Sequence, residues 1–71
     1  MIELKDILGF IDNDARIINA NGEEIALVFR EFQDALSDKY LECGVLEISI
    51  NEAMDATVDV MITMSKELQN D

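Results

Sequence analysis

Leu4, Ile7, Leu8 and Ile11 recur at i, i+3, i+4 and i+7, with Glu3, Lys5 and Asp6 on the remaining positions. That spacing predicts an amphipathic helix over residues 2–12, with Asn13 in the left-handed conformation that ends it. The pattern then changes. Arg16-Ile17-Ile18 and Ile25-Ala26-Leu27-Val28 flank Asn21-Gly22, and an Asn-Gly pair between β-branched runs predicts a two-residue hairpin turn. In that register Ala20 faces Glu23 and Ile18 faces Ile25. Neither face of this hairpin is clearly polar. A helical stripe of Ile25, Val28, Phe29, Phe32 and Leu36 competes with the second strand, so a helix starting near residue 24 stays open. From residue 29 to 43 the period is helical, through Phe29, Phe32, Leu36, Tyr40 and Cys43, and Gly44 stands where a C-terminal cap is expected.

The last third alternates with period two. Leu46, Ile48 and Ile50 interleave with Glu47 and Ser49; Val58, Val60, Ile62 and Met64 interleave with Asp59, Met61 and Thr63. Two such runs joined by the polar loop 51–56 predict a second antiparallel hairpin with one buried face. Residues 65–71 read as a polar tail, expected to fray. The whole is one small α+β domain, residues 1–71, ordered α-β-β-α-β-β. Its expected architecture is a four-stranded antiparallel sheet with two helices on one face.

Charge narrows the classes of partner. Sixteen acidic residues against five basic ones give a net charge of −11. Nucleic acid binds proteins by phosphate neutralisation, so direct nucleic-acid binding is excluded, and anionic membranes repel the chain as well. Basic protein surfaces or cations are the electrostatically favoured partners. The N-terminus has acidic residues where a secretory signal has a basic region, no apolar run nears a membrane span of roughly 20 residues, and the cysteine is single. A cytoplasmic location is expected.

Chemistry is sparse. With no histidine and only Cys43, a zinc site of cysteine and histidine is ruled out. Asp12, Asp14, Asn19, Asn21 and Glu23 resemble scattered calcium ligands. A loop starting at Asp12 puts Arg16 and Ile17 at its fifth and sixth positions, and one starting at Asn19 puts Glu24 where glycine is needed. Neither register works, and the stretch reads as a helix end plus a turn. No nucleophile, base and orienting group come together, Cys43 lies on an apolar stripe, and Gly9, Gly22 and Gly44 are isolated. No catalytic residue, cofactor site or metal site is expected.

Two candidate binding surfaces emerge. Glu31, Asp34, Asp38 and Glu42 are three and four apart, forming an acidic stripe opposite Phe32, Leu36 and Tyr40 on the second helix. Like charges at this spacing cost a few tenths of a kcal/mol, about, which solvation of an acidic surface or a binding role would justify. The second surface is the polar side of the sheet, where Val45 and Met61 are apolar exceptions, with Ile17 or Ile18 added by the first hairpin. Such a patch allows a homodimer.

The stretches IELKDILGFIDNDARI, NGEE, FREFQDALSDKYLECG and VLEISIN together resemble small acidic proteins of Gram-positive bacterial phages and prophages. The resemblance spans about residues 2–64 and implies an accessory or host-interaction role, with no catalytic residues to carry over. The expected function is that of a non-enzymatic interaction protein acting by protein–protein binding. The alternative is an inhibitor of a host defence nuclease, of anti-CRISPR type, whose acidic stripe occupies a nucleic-acid groove.

Overall fold

The computed structural model describes residues 1–11, 13–29, 36–52 and 54–69. Within them the elements are α1 (Leu4–Leu8), β1 (Ala15–Ile18), β2 (Glu24–Val28), α2 (Asp38–Leu41), β3 (Val45–Glu52) and β4 (Val58–Met64). Element order follows the periodicities. The sheet does not follow the expectation of antiparallel pairing throughout. Its strands lie in the order β2-β1-β4-β3, and the central pair β1 and β4 is parallel. Each hairpin is antiparallel because a short turn reverses the chain. The relation between hairpins is set by the longer connection through residues 29–44, which carries α2. A crossover of that length lets the chain re-enter the sheet in the original direction.

The core lies on one face of this mixed sheet. Ala15 pairs with Val60 and Ile17 with Ile62, so the two central strands present these side chains together. Leu4 and Leu8 of α1, Tyr40 of α2 and Cys43 just after it complete the same buried cluster with Met64. Each such aliphatic side chain contributes about 1.5–3 kcal/mol through burial. Both helices thus serve a single core.

α1 is shorter than its periodicity predicts. The Glu3 N–H donates to Asp6 Oδ2 at 3.1 Å, fixing the helix start. After Leu8 the chain tightens: Phe10 N–H donates to the Ile7 carbonyl and Ile11 N–H to that of Leu8. Gly9 ends the regular turn, since glycine costs about 1 kcal/mol relative to alanine inside a helix. Asn13 is not left-handed; among the described residues Gly22 and Ala56 are the ones with positive φ.

The strand reading of residues 24–28 prevails over the helical stripe, and Phe29 follows it as exposed chain outside any helix. The helix expected from residue 29 is regular over Asp38–Leu41, starting after Ser37. Phe32 lies outside the described residues.

The first hairpin is closed by three residues rather than two. Asn19 N–H donates to the Glu23 carbonyl at 2.9 Å and Gly22 N–H to that of Asn19 at 3.0 Å. Gly22 alone is left-handed, at φ 85°, which is a type I turn followed by a glycine bulge. Ile18 therefore faces Glu24, not Ile25, and a second irregularity at Ile25 then shifts the register so that Ile17 pairs with Ala26. The three-residue turn is held by Asn19, 1% exposed. Its Oδ1 accepts from the N–H groups of Asn21 and Glu23 at 3.0 and 2.9 Å. Its Nδ2 donates to the Leu68 carbonyl at 2.9 Å and to Glu23 Oε1 at 3.2 Å.

Through Asn19 the end of the chain is tied down. Ala20 N–H donates to the Lys66 carbonyl at 2.9 Å, and the Tyr40 hydroxyl donates to that of Gln69 at 2.8 Å. Leu68 packs on the core. Residues 65–69 are docked instead of frayed, because their backbone carbonyls accept from Ala20, Asn19 and Tyr40; Asn70 and Asp71 lie outside the described residues.

Candidate interaction surface at the β3 edge

β3 is an edge strand of eight residues. Its inward side chains face the same way as the core: Ile48 is opposite Ile62 and Ile50 opposite Val60. Ile62 and Val60 are buried, yet Leu46, Ile48 and Ile50 are 66%, 42% and 67% exposed. The alternation that predicts a buried face is present, and the burial is not. Val58, next to them across from Glu52, is also exposed.

The outer edge of β3 is occupied only at its start among the described residues. Val45 N–H donates to the Ile2 carbonyl at 2.7 Å, and Glu3 bridges to Gly44. From residue 46 to 52 no further strand pairs with this edge among the described residues. Beside it runs a mainly apolar groove of about 240 Å³ lined by Ile2, Ile7, Val45, Leu46, Glu47 and Ile48. α1 forms one wall through Ile7, and the strand forms the other.

Val45 and Met61, expected together on the polar side of the sheet, fall on opposite faces. A register shift between Val45 and Glu47 makes Leu46 an extra residue, so Val45 pairs with Met64 and packs on the core. Met61 stays on the far face, opposite Ser49 and beside Arg16. Ile17 joins the core and Ile18 does not.

The far face is closed by charge. The Arg16 guanidinium holds Asp59 through two nitrogens, Nε at 3.1 Å and Nη2 closer, and its Nη1 lies 3.6 Å from Glu24 Oε1. The hydrogen bond to Asp59, then its charge, pushes the Arg16 pKa up. Lys5 is likewise raised by its hydrogen bond and proximity to Glu3, 3.3 Å away.

Of the acidic stripe, Asp38 and Glu42 are exposed and one helical turn apart, with the Glu42 N–H donating to the Asp38 carbonyl. Glu31 and Asp34 lie outside the described residues, as does Asp12 of the loop with scattered carboxylates. Asn19 of that loop spends its amide on the turn and the tail. Among the described residues no three His, Cys, Asp or Glu side chains gather as a metal site. Cys43 is buried, its thiol 3.6 Å from the Gly44 carbonyl.

The open β3 edge escapes sequence reasoning because the alternation of residues 46–50 matches that of a covered strand. The available signal is charge: residues 40–65 hold Glu42, Glu47, Glu52, Asp55 and Asp59 and no lysine or arginine. Among the described residues no helix is long and apolar enough to cross a membrane. Comparison of the chain with family models, curated proteins and solved structures finds no match.

Proposed function

We propose that this protein performs no reaction of its own and acts in the cytoplasm by binding another protein, as a phage or prophage accessory. The observation that carries this reading is the exposed ladder Leu46, Ile48 and Ile50 beside a strand edge that is unpaired among the described residues. An apolar patch rimmed by polar residues on a small domain marks an interaction surface. The net charge of −11 favours a partner with a basic surface and disfavours nucleic acid and membranes.

The test is affinity capture with the wild-type chain and an Ile48→Lys/Ile50→Lys variant, at low and at physiological salt. Loss of the captured protein in that variant, with its circular dichroism unchanged, is the expected result. A partner retained by this variant but lost by Glu31→Gln, Asp34→Asn, Asp38→Asn and Glu42→Gln together supports the second reading. In it, the exposed pair Asp38 and Glu42 belongs to a surface that enters the nucleic-acid groove of a host defence nuclease. Retention by both variants defeats both readings.

A further inference from the structure

We infer that the occupant of the β3 edge is an extended segment of another protein, alternating apolar and basic residues, which adds to the sheet as a fifth strand. The inference rests on the reading above and names the chemistry of its partner.

Three observations combine. First, residues 47–52, beyond the bulge at Leu46, form a regular strand edge that is unpaired among the described residues and long enough for an added strand of ordinary length. Second, the two faces along that edge differ. On the core side stand Leu46, Ile48 and Ile50, continuous with the groove under Ile2 and Ile7. On the far side stand Glu47, Ser49 and Asn51, opposite Thr63, Met61 and Asp59. A strand laid alongside has its side chains alternate between these faces, so apolar residues are needed on one and polar ones on the other.

Third, the edge strand itself carries charge of one sign, and Lys5 on the facing α1 is held by Glu3. No lysine or arginine occurs between residues 40 and 65, and Arg16 on the far face is held by Asp59 and Glu24. Edge strands are commonly guarded by lysine, which discourages a cationic neighbour. Here Glu47 on the far face, and Glu52 at the end of the apolar one, do the opposite: they repel a second acidic copy of this chain and attract a cationic strand. Cross-strand pairs of opposite charge are favourable and like pairs are not. The polar positions of the segment are therefore lysine or arginine, next to Glu47, and the apolar positions fill the groove beside Leu46.

The probe is a ten-residue peptide alternating valine and lysine, its affinity for the full chain measured by fluorescence anisotropy. Two control peptides have the same composition, one with its valines and lysines in blocks, the other alternating but N-methylated at every second residue, on the amides that face β3. The alternating peptide is expected to bind at least tenfold more tightly than either control, because only it offers both the ladder of N–H donors and the two-faced pattern. Backbone amides of residues 46–52 gain protection from hydrogen exchange in its presence, and Ile48→Lys/Ile50→Lys removes the binding. Equal affinity for all three peptides means simple charge attraction and overturns the inference. So does a stable dimer of the chain alone, measured by sedimentation, that is lost in the same variant. If the variant loses a captured partner while no peptide binds, strand addition fails and the reading of β3 as the binding surface stands.

Discussion

The two hairpins of this protein occupy equivalent places in the sheet and differ in three respects. Both place an edge strand outside a central one: β2 beside β1, and β3 beside β4. On β2 the inward side chains Ile25 and Val28 belong to the buried cluster, whereas on β3 Leu46, Ile48 and Ile50 stay exposed. The β2 hairpin is anchored by a buried amide, Asn19, while the β3 hairpin turns on the exposed carboxylate of Asp55, which accepts from both the N–H and hydroxyl of Thr57. These hydrogen bonds hold the Asp55 carboxyl below the usual carboxylate range. Finally, the left-handed turn residue is Gly22 in one and Ala56 in the other. One hairpin buries the inward face of its edge strand, and the other leaves that face exposed.

The sharpest way to break this comparison is to truncate matched side chains on the two edges. Ile25→Ala is expected to cost about 2–5 kcal/mol, the range for emptying a packed aliphatic site. Ile50→Ala removes the same atoms from a largely solvated position and stays within about 0.5 kcal/mol. Urea denaturation of both variants measures the difference. A cost at Ile50 approaching that at Ile25 means that β3 is covered in solution, and the case for an open edge falls.

Next in size is the anchor. Asn19→Ala unpairs the Glu23 N–H and the Leu68 carbonyl in a partly buried setting, at about 2 kcal/mol from the cost of unpaired groups. Hydrogen exchange in residues 66–69 is expected to quicken at the same time, because the tail loses its tie to the hairpin. Asp55→Ala, at an exposed turn, shifts the denaturation midpoint less. If the tail is unaffected by loss of Asn19, its docking is due to Leu68 and Tyr40 instead.

Element order was legible because each local pattern has one period: 3.6 at residues 4–11, two at residues 46–50 and 58–64. The parallel centre was not, since periodicity describes one strand at a time and says nothing of how two hairpins are joined. Asn19 was visible only as a polar residue in a turn. Its burial depends on the carbonyl of Leu68, 49 positions away, and no local window contains both. The fate of Val45 turned on the bulge at Leu46, one residue that reverses the parity of everything before it. The site shows the same limit. Alternation marked Leu46, Ile48 and Ile50 as a face, and their exposure follows from what the rest of the chain leaves uncovered.

The turn residues give the smallest contrast, with effects of opposite sign. Gly22 has φ 85° and Ala56 has φ 69°, a region in which a Cβ crowds the following carbonyl oxygen at a cost of about 1–2 kcal/mol. At Gly22 a Cβ meets no atom within 4 Å, so Gly22→Ala isolates this backbone term and is expected to destabilise by about 1 kcal/mol. Ala56→Gly relieves the same strain. Part of the gain is offset by about 0.4–1 kcal/mol because glycine frees the unfolded chain. The net expectation is a stabilisation of about 0.5 kcal/mol, read as a higher thermal midpoint. The pair is informative because both sites are exposed and neither substitution touches the core. If Ala56→Gly destabilises, the turn is not left-handed at that residue. The strand edge it closes then has a different register, and Ile48 and Ile50 no longer lie opposite Ile62 and Val60.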